Sequence, residues 1–161
     1  MDYKNSPCER VYLEESSDPA YIAELESRIV RKGVVGIVER DGKYLVIQRS
    51  EYVPAPLLYS FPGGGIEPGE TPQDALIREF TEELGAPCTP QRRILESLSA
   101  WGAHIAWWLA DMTDEQIAAI KPSEREVAQV LWLTPEEIKN SNNNISSMYM
   151  FFDWLEEEKK L

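Results

Sequence analysis

The sequence predicts an α/β fold in which helices cover a mixed sheet. Three observations lead there. Short apolar runs rich in Val, Ile, Leu and Trp alternate with helical segments along the chain. Two of those runs are joined through Asp41-Gly42, the dipeptide that best tolerates the positive backbone angles of a tight hairpin. Several helical segments open on a capping residue followed by proline.

Residues 1 to 17 are polar with little periodicity and read as an extended or loosely attached arm. Asp18-Pro19 supplies an N-cap and a first-turn proline, and Tyr21, Ile22, Leu25, Ile29 and Val30 recur at helical spacing, predicting a helix over 19–31. The runs 33–38 and 44–47, flanking Asp41-Gly42, are expected to pair as antiparallel strands. Residues 93–98, 103–110 and 127–133 carry strand composition. Thr113 and Thr134-Pro135 start two short helices, and 140–144 reads as a polar loop. A terminal helix over 147–160 should bury Met148, Phe151, Phe152 and Leu155.

Composition narrows the function classes. The 161 residues are 43% hydrophobic, sufficient for one domain with a real core. With no long apolar run and no basic-then-apolar start, the expectation is a soluble, cytoplasmic protein. Cys8 and Cys88 make neither a disulfide framework nor a metal motif and suit a reducing compartment. The net charge of -12 argues against long nucleic acid and anionic membrane as partners. A small anionic ligand would need a cation as intermediary.

The densest chemistry lies in GGGIEPGETPQDALIREFTEELGA, residues 63 to 86. Thr71-Pro72 caps a helix predicted over 72–84, and Gly85 stops it. Leu76, Ile77, Phe80 and Leu84 fall in one arc of roughly 100 degrees, the core face; Glu79, Glu82 and Glu83 fall in another. Glu83 lies about 20 degrees from Leu76, which puts it at the edge of the buried face. Like charges at 79 and 83, and anions in the last turn, each cost some tenths of a kcal/mol in water. A hard divalent cation reverses both penalties, because Mg²⁺ prefers oxygen ligands. Arg78 stands four residues before Glu82, where its guanidinium can orient a carboxylate, and Glu70 can assist the metal or receive Arg78. The run Gly63-Gly64-Gly65 permits close backbone approach to an ion or phosphate, although such a run is often only a turn.

Gly64, Glu70, Arg78, Glu79, Phe80, Glu82, Glu83, Gly85 and Ala86 together spell G-x(5)-E-x(7)-R-E-U-x-E-E-x-G-U. With each fixed polar or glycine position at roughly 5–7% usage, a chance match is on the order of 10⁻⁹ per start position. The pattern resembles the Nudix box without a gap. A strand hairpin before it, Phe61-Pro62-Gly63-Gly64 leading in, and the 130–137 segment extend the resemblance over about residues 33 to 139. The whole chain is then expected to be a single domain: an arm and helix over 1–32, a Nudix core over 33–139 and a C-terminal helix over 140–161. The resemblance implies an alpha/beta/alpha sandwich around a mixed sheet, and hydrolysis of a phosphoanhydride bond in a nucleoside diphosphate linked to another group.

By the same resemblance, Glu79, Glu82 and Glu83 would hold Mg²⁺, or Mn²⁺ in its place, with the Gly63 carbonyl as an extra ligand. The base that activates water is Glu79 or an acid outside the box, Glu124 or Glu126, with Glu79 preferred. Arg49, at the end of the second strand, would meet the phosphates or lie exposed. Phe61, Tyr59, Trp101, Trp107 and Trp108 are candidates to stack a base or to fill the core. His104 is expected to be structural. The substrate expected is a small nucleotide, a nucleoside triphosphate, including an oxidised one, in the manner of MutT-like members. The alternatives are ADP-ribose or a nucleotide sugar, or a non-catalytic nucleotide-sensing module. The arm and terminal helix lie outside the core and are expected to tailor substrate access or a dimer interface, the chain being a monomer or homodimer.

Overall fold

The computed structural model describes residues 2–159. In chain order its elements are β1 (Cys8–Val11), α1 (Pro19–Arg28), β2 (Arg31–Ile37), β3 (Glu39–Arg40), β4 (Lys43–Arg49), β5 (Tyr59–Ser60), β6 (Gly63–Gly65) and α2 (Pro72–Leu84). There follow β7 (Thr89–Ser99), β8 (Ala103–Asp111), α3 (Asp114–Ala118), β9 (Val127–Leu133), α4 (Pro135–Lys139), a 3₁₀ turn (Ser146–Met148) and α5 (Tyr149–Lys159). The α/β class stands, and the sheet is mixed: the order β1-β7-β8-β2-β6 is antiparallel except where β2 runs parallel to β8. A second, smaller sheet is centred on β4, with β9 on one edge and β3 and β5 on the other.

Where the chemistry is local, the elements fall as the sequence predicts. Thr71 accepts a hydrogen bond from the Asp74 N–H at 3.1 Å, Pro72 opens α2, and Gly85 closes it in the left-handed conformation at φ 71°. Thr113 and Thr134 each complete a capping box at the start of α3 and α4.

Non-local pairing changes three expectations. The first concerns the arm, which is not loose: β1 pairs antiparallel with β7, Cys8 opposite Ser99 and Val11 opposite Glu96. Val11 also joins Leu25 of α1 and Leu98 of β7 in a small buried cluster, so two apolar residues in a polar run find partners far along the chain. The second concerns the 33–38 run, which does not pair with 44–47 as a hairpin. It belongs to β2, whose neighbours are β8 and β6, while the hairpin partner of β4 is the two-residue β3 across Asp41 (φ 55°) and Gly42 (φ 79°). The reason is that Val34 and Ile37 are both fully buried on opposite faces, which demands a central strand. The third concerns Gly63-Gly64-Gly65, which forms the edge strand β6 rather than a turn, pairing with Gly33, Val34 and Val35. The helix expected to reach residue 31 ends at Arg28 because Arg31 already belongs to β2.

Helices cover both sides of this framework. Leu76, Phe80 and Leu84 of α2 pack on Val34, Leu45 and Ile47. The alternate residues Val46 and Ile37 face the opposite layer, with Phe61, Trp107 and, from α5, Phe151 and Trp154. Each fully buried large apolar side chain contributes about 1.5–3 kcal/mol relative to exposure. Ile77 is only half-buried, at the margin of the predicted core face. On α5, Met150 and Trp154 are buried where Phe152 and Leu155 were expected to be, and these two pack only partly against the core. Lys160, the predicted end of that helix, lies outside the described residues.

Candidate active site

The buried face of α2 carries one carboxylate into the core. Glu83 is 5% exposed, as its position beside Leu76 implies. Its Oε1 accepts the Gly63 N–H at 2.8 Å, which ties the helix to the edge strand β6. Burial pushes its pKa up to about 8; the Gly63 hydrogen bond opposes the shift, Glu79 adds to it, and Arg49 offsets part of it. Glu79 is also raised by burial, with Arg78 opposing.

Arg78 organises the remaining acids. Its Nε and Nη2 donate to the two Glu70 oxygens at 2.8 and 2.9 Å, a bidentate fork. Nη1 donates to Glu79 at 2.9 Å and to Glu82 at 3.3 Å, and Nη2 also reaches the Gly65 carbonyl at 2.8 Å. The fork holds the Glu70 carboxyl at a pKa of about 2. Glu70 therefore receives Arg78, one of its two expected roles. The fit at β6 leaves no spare room: a Cβ built on Gly64 would lie 2.3 Å from the Glu79 carboxyl carbon. Gly64 is required for close approach rather than for a turn.

Residues distant in sequence face the same place. Arg49, at the end of β4, donates from Nε to the Pro54 carbonyl at 2.6 Å and feels the charges of Glu83 and Glu126. Glu126 in turn acts electrostatically on both Glu79 and Glu83. The loop carrying it is tied to the end of β4, since the Glu126 carbonyl accepts the Ser50 N–H at 3.0 Å. Phe61 is 4% exposed and stands edge-on to Trp107 and Phe151, so it is part of the core as well as of the cavity floor beside the site. Trp107 is fully buried with its Nε1–H on Ser97, and Trp108 packs against the core on the α2 side. His104 is buried with Nε2 2.7 Å from Glu96, the structural role expected for it.

The acids are neighbours without being a finished cage. Among the described residues no three acidic, histidine or cysteine side chains converge as a group able to hold a metal ion. Arg78 draws Glu79 and Glu82 toward its own guanidinium, while Glu83 turns to Gly63. The donor set nonetheless fits a hard divalent cation: every donor is oxygen, and two of the carboxylates are held where burial disfavours their charge. Sequence reasoning did not single out Arg31 and Lys32 of β2. These line the cavity beside the site, and their only sequence signal was two adjacent basic residues at a predicted helix end.

Residues 28–155 match the family model for the NUDIX domain. The chain belongs to the Nudix family. It is similar to a CTP pyrophosphohydrolase of Escherichia coli K12, 33% identical over 108 residues that cover 65% of this chain and 76% of that protein. It is also similar to the phosphatase NudJ of the same strain, 29% identical over 112 residues, 68% of this chain and 72% of the relative. Among solved structures, a MutT protein from Methanosarcina mazei shares the fold at TM-score 0.66 and 21% identity, covering 81% of this chain and 96% of its own. The E. coli ORF135 protein superposes at TM-score 0.54 with 30% identity, over 70% of this chain and 79% of that one. The protein is thus a Nudix hydrolase, with the alpha/beta/alpha architecture the box implied. Hydrolases of this family act on small nucleotide-linked substrates and generally use divalent metal ions. No helix of the described residues is long and apolar enough to cross a membrane.

Proposed function

We propose that this Nudix hydrolase is a Mg²⁺-dependent pyrophosphohydrolase of a nucleoside triphosphate, an oxidised one included, releasing pyrophosphate and a nucleoside monophosphate. The observation that carries the reading is Glu83. A carboxylate 5% exposed and repelled by Glu79, with Arg49 offsetting only part of the penalty, is costly to ionise unless a further cation joins it. The E. coli relative named for CTP supports a triphosphate substrate.

Glu79, Glu82 and Glu83, with the Gly63 carbonyl, would hold Mg²⁺, with Mn²⁺ able to replace it. When bound, the cation neutralises phosphate charge and lowers the pKa of the attacking water. Arg78 keeps the Glu79 carboxylate oriented, so that one of its oxygens accepts the proton from water as the new P–O bond forms and the bridging P–O bond breaks. Glu126, whose charge is felt at Glu79 and Glu83, is the second group able to take that proton. Arg49 and Arg31 line the cavity beside the site and feel each other's charge, a local cationic field in a chain of net charge -12, and would receive the phosphates. The same reading takes the whole chain as one domain and places it in the cytoplasm, where the free buried thiols Cys8 and Cys88 remain reduced.

The test is a nucleotide panel with Mg²⁺ in which products are identified. Pyrophosphate plus a monophosphate is expected, whereas two monophosphates from ADP-ribose or a nucleotide sugar, with the triphosphates inert, would overturn the substrate assignment.

A further inference from the structure

A cavity of about 290 Å³ opens beside β6, lined by Gly63–Gly65, by Arg49 and, from the N-terminal arm, by Tyr3 and Cys8. Its walls are largely aromatic and aliphatic, and among its described lining residues there is no acidic or amide side chain. Two of its lining residues carry a buried polar atom that lacks a partner. Ser60 is 7% exposed and its hydroxyl has none; the indole Nε1–H of Trp101 also has none, and both atoms are shielded from solvent. Leaving such a group unmet costs about 1–3 kcal/mol.

The arm completes this cavity. The Tyr3 ring meets Trp101 edge-on, with centroids 5.1 Å apart and planes at 82°. The Tyr3 carbonyl accepts the Ser146 N–H at 2.8 Å, the Pro7 carbonyl accepts the Ala100 N–H at 3.2 Å, and the Tyr149 hydroxyl donates to the Cys8 carbonyl. Tyr3 therefore reaches the site as a fixed wall, although it lies outside the 28–155 family match. We propose that the cavity receives the base of the nucleotide and that Tyr3 and Trp101 determine which base is accepted. The base slides between apolar walls and turns a ring nitrogen or carbonyl toward the Trp101 N–H, which can only donate. Ser60 donates or accepts at a second position. Arg49 and Arg31 hold the phosphates toward α2. This rests on the nucleotide reading above and adds a specificity device supplied by this chain's own N-terminal segment.

The full chain, labelled with ¹⁵N and kept in chelator so that nothing turns over, is titrated in turn with uridine, cytidine, adenosine and guanosine 5′-monophosphates. The five tryptophans give five indole N–H resonances, and Trp101→Phe identifies the one that matters. That resonance is expected to move saturably with at least one monophosphate, and Tyr3→Ala to weaken the same titration about tenfold, the loss of one good aromatic contact. If the enzyme hydrolyses nucleotides yet the Trp101 resonance stays fixed, or Tyr3→Ala leaves the titration unchanged, the base subsite is wrong. If the resonance moves but no nucleotide is hydrolysed with Mg²⁺, the subsite stands and the hydrolytic reading falls.

Discussion

Replacing Glu83 with glutamine should make the metal-free protein more stable at neutral pH. Burial raises the folded-state pKa of Glu83 to about 8 against an ordinary value of 4.5. For an acid shifted upward, the unfolded chain ionises first. No penalty exists below pH 4.5; stability is lost as pH climbs from 4.5 to 8, and the loss is complete above that. Linkage between those two values gives about 3 kcal/mol at pH 7, rising toward about 5 above pH 8. Glutamine removes the ionisation while its amide oxygen can still accept the Gly63 N–H, so the variant escapes the penalty. At 2–4 °C per kcal/mol for a chain of this size, the midpoint should rise by roughly 6–12 °C at pH 7. The assay is thermal unfolding in chelator from pH 5 to 8.5 for both proteins. The quantity read is their difference, which cancels the titrating groups that do not interact with Glu83. A difference that stays flat with pH, or a variant less stable throughout, would refute the buried-charge argument.

Other outcomes follow from the same geometry. Saturating Mg²⁺ should raise the midpoint of the wild-type protein at pH 7.5 and leave Glu83→Gln within about 1 °C, since a ligand stabilises only what binds it. Gly64→Ala places a methyl 2.3 Å from the Glu79 carboxyl carbon and should reduce kcat at least about tenfold, measured as pyrophosphate release. Arg78→Lys keeps the charge but loses the fork shared by Glu70 and Glu79, and a fall of about 10- to 100-fold in kcat/KM is expected. Thr71→Ala, which removes the α2 cap, should cost about 1 kcal/mol and lower the midpoint by 2–4 °C, read by calorimetry. The Cys88 thiol, pushed up to about 12 by burial, should resist iodoacetamide in the native state and react only on unfolding, followed by mass.

Much of the site was legible because its signals are local. Thr71-Pro72 and Gly85 bound α2 at the residues where it starts and stops, and helical periodicity alone put Glu83 beside Leu76, hence into the core. The β9 strand over 127–133 was equally plain from its composition. What local signals could not supply is the pairing of strands far apart in sequence. Nothing in CERV announces that Cys8 will lie opposite Ser99, and nothing in the 33–38 run distinguishes a hairpin arm from a central strand parallel to β8. Glycine has no strand propensity, so β6 read as a turn although its backbone pairs with β2. The approach of Arg49 and Glu126 to α2 depends on that topology, which is why their roles stayed open in the sequence, and for the same reason nothing there singled out Tyr3, which meets Trp101. The Arg78 fork shows the limit in the other direction: spacing put three carboxylates together, but it is the guanidinium that decides where two of them point.

The central claim is that Glu83 and its neighbours serve phosphoanhydride hydrolysis. The most direct measurement is product release from a panel of nucleoside triphosphates with Mg²⁺, run beside Glu83→Gln under conditions where the variant is folded. Pyrophosphate and the monophosphate should form with the wild-type chain and fall by orders of magnitude in the variant. Near-normal turnover by Glu83→Gln would contradict it.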